Sequence, residues 1–296
     1  MISYVDVSER LVLRLTGHDG LDFIQRISTN DVASLQLGQS RQTILTSEKG
    51  RIIDLVAVHR VDDSRLLLVG QSTDFTRLIS WIEKYIIMED IRVEELTSST
   101  SQVIAYGDNV TDQVRFESFS SREIITLIEE YGSSRMVRVV TPQNLKGSAE
   151  QTLVASGAVQ GTSGEFEEYR ILKGIPGAGA ELTAEYNPLE ANLGNLISWS
   201  KGCYIGQEVI ARLDTYKKVQ RRLVTMGMSD RPEILPIPFQ DEKGEAGVIT
   251  SAVKIASTGE IRGLGYLKTS GLGEPGTHFY LQHGRMVSIA IHAVAS

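Results

Sequence analysis

The spacing of apolar positions changes period several times along the chain. Residues 11–17 (LVLRLTG) alternate apolar and polar side chains, the period of a half-buried strand. GHDGLDFIQRIS follows and sets Leu21, Ile24 and Ile27 at helical spacing. Short apolar runs at 51–61 and 65–69 flank Asp62 and Asp63, which predicts a hairpin turning at the aspartates. Residues 72–87 carry the clearest helical stripe, formed by Phe75, Leu78, Ile79, Ile82, Tyr85 and Ile86, with Ser72 or Thr73 as its cap. IRVEEL then returns to alternation and closes a unit near residue 96.

After the connection TSSTS, the runs 103–106 and 114–116 read as strands. Residues 121–131 carry Ile124, Ile125, Leu127, Ile128 and Tyr131 on a broad apolar face, the helical step of a strand–helix–strand alternation. Residues 135–140 read as a strand and 144–156 as a helix. Residues 157–185 are rich in glycine and acidic side chains, which predicts long irregular structure or short elements, a setting that often carries function. Beyond residue 216 come separate strand-like runs with glycine-rich turns such as TSGLGEPG, and no helical pattern. A small all-β module closed as a barrel is predicted there, with Pro232, Pro236 and Pro238 at its entry. The fold class is therefore α+β, with regions at 1–96, 97–216 and 217–296, the last all-β.

Composition narrows the function. The 296 residues carry 30 basic and 37 acidic side chains, a formal charge of −7. That balance argues against general nucleic-acid binding. A single cysteine excludes an intrachain disulfide framework and an all-cysteine metal cage. The N-terminus meets charge before an apolar signal core forms, and no run is long enough to span a bilayer, so a cytoplasmic protein without a membrane partner is expected. Neither a phosphate-binding GxxxxGK[ST] loop nor HExxH occurs, and no metal site is predicted.

The lone cysteine stands in WSKGCYIGQEVIARLDTYKKV. One reading makes Cys203 a small buried side chain at the entry of a helix that buries Val209, Ile210 and Leu213. The other makes it reactive. Gly202 stands beside it, Lys201 two positions before it, and the N–H groups of a helix opened by Gly206 lie close by, all of which favour thiolate.

KGCYIGQE closely resembles the signature of the folate-binding proteins related to the glycine-cleavage T-protein, and more narrowly of their YgfZ branch. RILKGIPGAGAEL, NPLEANLGNLISWSKG, GEAGVITSAVKIASTGEIRGLGYL and VDVSERLVLRLTGHDGLDFIQRISTND resemble other blocks of that family, so the likeness covers nearly the whole chain. The resemblance implies a multidomain T-protein-like fold ending in a β-barrel. It implies tetrahydrofolate or a folate derivative as cofactor, and iron–sulfur client or assembly proteins as partners. The branch is described as acting in iron–sulfur cluster assembly or repair, with effects on tRNA modification through iron–sulfur enzymes. Cys203 would be its reactive group. Arg170, Tyr204, Arg10, His59 and Glu190 are the implied folate-binding candidates, and Lys201, Gly202, Gly206, Gln207 and Glu208 support the motif. Glu190 would also cap a helix start or brace the motif loop, through its N–H groups or Lys201.

Departures from the aminomethyltransferases separate the branches. Those enzymes read Gly-Gly-x-x-Asp-Asp-Leu where this chain reads GRIIDLV, so Asp54 matches the first aspartate and Leu55 replaces the catalytic second one. Leucine neither carries charge nor moves a proton. A slip of one residue would turn Asp54 to the opposite strand face. The aminomethyltransferase motif also lacks the cysteine, and the present chain begins directly at a strand without the T-protein leader. Two alternatives stay open: a tetrahydrofolate-dependent aminomethyltransferase, and a folate-binding scaffold without a catalytic step. The basic run Arg212, Lys217, Lys218, Arg221 and Arg222 is either a solvated linker or a docking strip for an anionic tail or acidic partner.

Overall fold

A computed structural model describes residues 1–114, 123–272 and 278–294. Two five-stranded sheets and one closed barrel account for its strands. The first sheet has the order β3 (Ser40–Thr46), β4 (Ile52–Arg60), β5 (Arg65–Gly70), β2 (Val12–Thr16) and β6 (Arg92–Glu95), all antiparallel. One of its faces is covered by α1 (Gly20–Ile27) and α2 (Phe75–Glu83), whose apolar stripes enclose Leu13, Leu45 and Val56. The β4–β5 hairpin turns at the aspartates as predicted: Asp62 Oδ1 accepts from Ser64 N at 2.9 Å. The cap of α2 is Asp74, which accepts from Arg77 N, rather than Ser72 or Thr73.

The second sheet has the order β10 (Ala158–Gln160), β1 (Ile2–Asp6), β7 (Thr100–Tyr106), β9 (Ser134–Pro142) and β8 (Ile125–Tyr131). The N-terminal strand thus leaves chain order and pairs with β7 and β10. The apolar face at residues 121–131 belongs to a strand, not a helix. From residue 127 the inward positions Leu127, Glu129 and Tyr131 recur every second residue, and the β-branched isoleucines favour that extended form. A short helix α3 (Val110–Gln113) precedes Val114, and the strand expected at 114–116 otherwise lies outside the described residues. Helix α4 (Lys146–Ala155) packs on this sheet through Ala149 and Leu153. Part of the stretch read as long irregular structure or short elements is a helix: α5 (Ser163–Leu172) starts at a reciprocal capping box between Thr162 and Glu165.

After α6 (Gln207–Thr215), the barrel closes in the order β11 (Arg221–Met228), β14 (Ile261–Lys268), β13 (Gly244–Lys254), β12 (Ile237–Asp241), β15 (His278–Gln282) and β16 (Arg285–Val294). Pro238 lies within β12 and Leu235–Pro236 is a cis bond just before it; the turn at 269–276 falls partly outside the described residues. One apolar cluster joins all three parts, with Leu55 from the first sheet, Tyr131 from the second, Phe166 from α5 and Leu264 from the barrel. No helix among the described residues is long and apolar enough to cross a membrane.

Candidate functional site

Residues 201–206 form a turn wedged between the end of α1 and the β3–β4 hairpin, and lead into α6. Ile205 donates its N–H to Arg26 O at 3.1 Å, and Thr46 Oγ1 donates to Ile205 O at 2.6 Å. Gly206 caps α6 at φ +84°, and a Cβ there would stand 2.5 Å from Ser47 O. Both the left-handed backbone and the close approach require glycine. Gly202 has no such reason, since a Cβ there would meet nothing within 4 Å. Cys203 follows it as an exposed free thiol, which removes the reading of a buried structural cysteine. Gln207 opens α6 and donates its N–H to Tyr204 O at 3.2 Å. Glu208 is exposed in the first helical turn, where a carboxylate complements the helix dipole.

Two motif residues differ from expectation. Lys201 does not serve as a free charge for the cysteine: its ammonium donates to Gln25 O, Ser28 O and Asn30 O at 2.6, 2.8 and 2.7 Å. Its three donors thus meet three carbonyls at and beyond the end of α1, where helical partners run out. Burial pushes its pKa down to about 8. Tyr204 is a core residue, packed with Leu189, Ile197 and Ile210, and burial pushes its hydroxyl up to about 12.

Deeper in the molecule, Leu55 and Asp54 point to opposite sides of β4. Leu55 is 1% exposed within the cluster shared by both sheets and the barrel. Asp54 faces the end of β5: Oδ1 accepts from Leu55 N at 2.9 Å and Oδ2 from Ser72 N at 3.3 Å. A Cβ on Gly70 would stand 2.6 Å from Asp54 Oδ2, so glycine admits the carboxylate. Burial raises the pKa of Asp54 to about 7.

A buried polar network between the sheets escaped the sequence reading. Arg138 on β9 is fully buried; its Nε donates to Glu129 Oε1 at 2.7 Å and its Nη1 to Gln102 Oε1 at 2.9 Å. Its Nη2 has no hydrogen-bond partner among the described residues. Gln71 Nε2 donates to Glu129 Oε1 and Tyr131 Oη, both at 3.1 Å. The available signal was an arginine inside the apolar run MVRVV, a charge that a half-buried strand tolerates only with partners. Arg10 reaches this network: Nη1 donates to Gln71 Oε1 and the guanidinium lies 5.8 Å from the Phe166 ring centroid. Burial, and then the charge of Arg138, lower its pKa.

The other predicted ligand residues are engaged elsewhere. Arg170 sits in α5, and its N–H groups reach Glu167, Glu181, Ile175 O and Ser251 Oγ. A guanidinium so committed binds α5 to the central loop and the barrel and is not free for an anionic tail. Glu190 does not contact Lys201 or the motif loop; its Oε2 accepts from Asn187 N at 3.0 Å and pairs with Arg51 Nη1 at 3.4 Å. Burial raises its pKa against the fields of Arg51, Arg221 and Arg222. His59 shares a hydrogen bond with Ser40 Oγ at 2.8 Å near the outer end of β4, and burial lowers its pKa. In the basic run, Arg222 donates to Leu189 O and Lys217 pairs with Asp214. Among the described residues, no group of three or more His, Cys, Asp and Glu side chains is placed to hold a metal.

Comparison with known proteins agrees with this architecture. The family described as GCVT N-terminal domain matches residues 2–114. A chloroplastic protein of Arabidopsis thaliana, provisionally named a transferase, is 30% identical over 281 residues, covering 89% of this chain and 65% of the plant protein. The chain thus spans somewhat less than two thirds of that relative. The aminomethyltransferase of Prosthecochloris aestuarii is 25% identical over 248 residues, covering 76% of this chain and 68% of the enzyme. The crystal structure of the glycine cleavage system aminomethyltransferase T from Bartonella henselae superposes with a TM-score of 0.81 at 19% identity, covering 99% of this chain and 86% of that one. The chain accordingly carries a GCVT N-terminal domain, has the fold of the glycine-cleavage aminomethyltransferase and is homologous to aminomethyltransferases.

Proposed function

We propose that this protein binds a reduced folate and acts as an accessory factor in iron–sulfur cluster assembly or repair, without transferring aminomethyl groups. The observation that carries the reading is Leu55. It stands where the resemblance puts the catalytic aspartate, and it is sealed in an apolar cluster with Tyr131 and Phe166. A site built this way has no group there to hold or move a proton. Asp54 does not substitute, because it faces the other side of β4 and its oxygens accept backbone N–H groups.

The residues suit a pterin. Arg138 Nη2 is an orphan buried donor at the sheet interface, and buried donors call for acceptors such as those on a pterin edge. Arg51, Arg221 and Arg222, gathered around Glu190, supply cations for an anionic tail in place of Arg170. When bound, a reduced folate supplies a one-carbon carrier. Cys203 supplies an exposed sulfur on the motif turn. One thiolate does not hold an iron–sulfur cluster alone, so a cluster handled here is shared with a client or assembly partner.

The aminomethyltransferase names of the relatives favour a second reading, and two assays separate them. In glycine-cleavage turnover with tetrahydrofolate and a lipoylated carrier, the proposal expects no product above background. In a strain lacking such a maturation factor, it expects complementation by the wild type and loss with Cys203→Ser. Turnover by the wild type contradicts the proposal, and full complementation by Cys203→Ser supports a scaffold without a catalytic step.

A further inference from the structure

Far from the motif turn, three barrel strands bring an arginine and a histidine together on the outer wall. Gly227 of β11 is in register with Arg262 of β14 and with Ala290 of β16. A Cβ at position 227 would stand 2.7 Å from His292 Nε2. The absent side chain is what leaves room for the imidazole over β11. Two hollows of about 470 Å³ and about 220 Å³ open here, and Arg262 and His292 line both.

Several polar side chains around these hollows can donate hydrogen bonds, and one other, Glu260, is a carboxylate. Arg262 Nε is buried without a hydrogen bond among the described residues; Glu260 Oε2 stands 3.3 Å away, in ion-pair range but outside hydrogen-bonding geometry. Ser229 Oγ accepts from Ser288 N at 3.1 Å, which leaves its hydroxyl proton to donate. The larger hollow also has apolar wall from Met228 and Ile289. An orphan guanidinium N–H, an imidazole and a hydroxyl above apolar wall match an anionic head on a short apolar body. The geometry points to a second ligand site between Arg262 and His292, one that takes a small oxyanion, carboxylate or phosphate monoester, carried on a short alkyl group.

The titratable groups facing the site are His292 on β16, Arg262 on β14 and Glu260 just before it; α5 contributes only Ile171 and Leu172, and β11 no titratable side chain. Burial and the charge of Arg262 hold His292 below the usual imidazole range, while Glu260 opposes. An anion seated between the two cations reverses that balance, so binding takes up a proton and strengthens as pH falls.

The test is a titration of the full chain, labelled with ¹⁵N-histidine, with butyrate and separately with butyl phosphate, followed through the His292 ring resonances. A saturable shift is expected, with butyrate affinity about tenfold higher near pH 6 than near pH 8. Arg262→Gln is expected to weaken binding about tenfold or more. Whichever ligand saturates at lower concentration identifies the head group. Thermal melting checks that the variant folds, and Arg262→Lys replaces it if it does not. Shifts that fail to saturate with either ligand, or equal affinity in the folded variant, overturn the site.

Discussion

At the scale of single residues, Asp54 and Leu55 show how adjacent positions on one strand divide the work. Leu55 fills the shared core, while Asp54 ties β4 to the end of β5. Burial holds the Asp54 pKa near 7, above its ordinary value of 3.8. The folded state therefore binds more protons than the unfolded state between these values. The stability this contributes is complete below the unfolded pKa and is lost as pH rises through the folded one. Unfolding free energy should fall by up to about 1.4 kcal/mol per pH unit from this group across that window. Urea titrations of the wild type and Asp54→Asn across the window check it; the variant should lack this slope. The motif glycines make a second contrast. Gly206→Ala should cost on the order of 1–3 kcal/mol, through its positive φ and the approach to Ser47 O. Gly202→Ala should stay within about 0.5 kcal/mol, because its Cβ meets open space. Chemical denaturation of both variants measures the difference. The sequence made both glycines conspicuous, but only the packing separates a backbone requirement from an unobstructed surface.

At the scale of elements, α5 ties the molecule together through Arg170. The side chain is buried between Glu167 and Glu181, and Glu181 in turn accepts from Thr250 Oγ1 and Ser251 Oγ of the barrel. Arg170→Met would leave Glu181 buried with its charge uncompensated, a loss of roughly 3–5 kcal/mol. The expected outcome in a urea melt is strong destabilisation; a change below about 1 kcal/mol would show the network to be dispensable. This helix was hidden in the sequence because glycine and acidic residues dominate residues 157–185. Thr162 and Glu165, at capping-box spacing, were the overlooked signal. The converse error occurred at β8, where closely spaced isoleucines suited either period and the sheet decided between them. Strands with a polar face toward solvent, such as β2, and the β4–β5 hairpin were legible because local alternation and turn residues agree there.

At the scale of the whole molecule, the two sheets and the barrel converge on one apolar cluster, with a polar network set between the sheets. The barrel was readable from its glycine-punctuated strands, and the motif turn from its octamer. The placement of β1 in the second sheet was not, because pairing with β7 and β10 is a long-range choice that local periodicity does not encode. The network was equally invisible: Gln102, Glu129 and Arg138 meet across neighbouring strands of the second sheet, and Gln71 joins them only through the docking of the first sheet. If this interface receives a pterin, saturating ligand at about a hundred times its Kd should raise stability by about 2.7 kcal/mol. Thermal melting with and without tetrahydrofolate checks that shift. The most direct measurement is an anaerobic calorimetric titration of the full chain with tetrahydrofolate. Saturable binding at one site, unchanged by Cys203→Ser and weakened by Arg138→Met in a variant that still folds, is the predicted result. Absence of binding by the folded wild type would contradict the account at its centre.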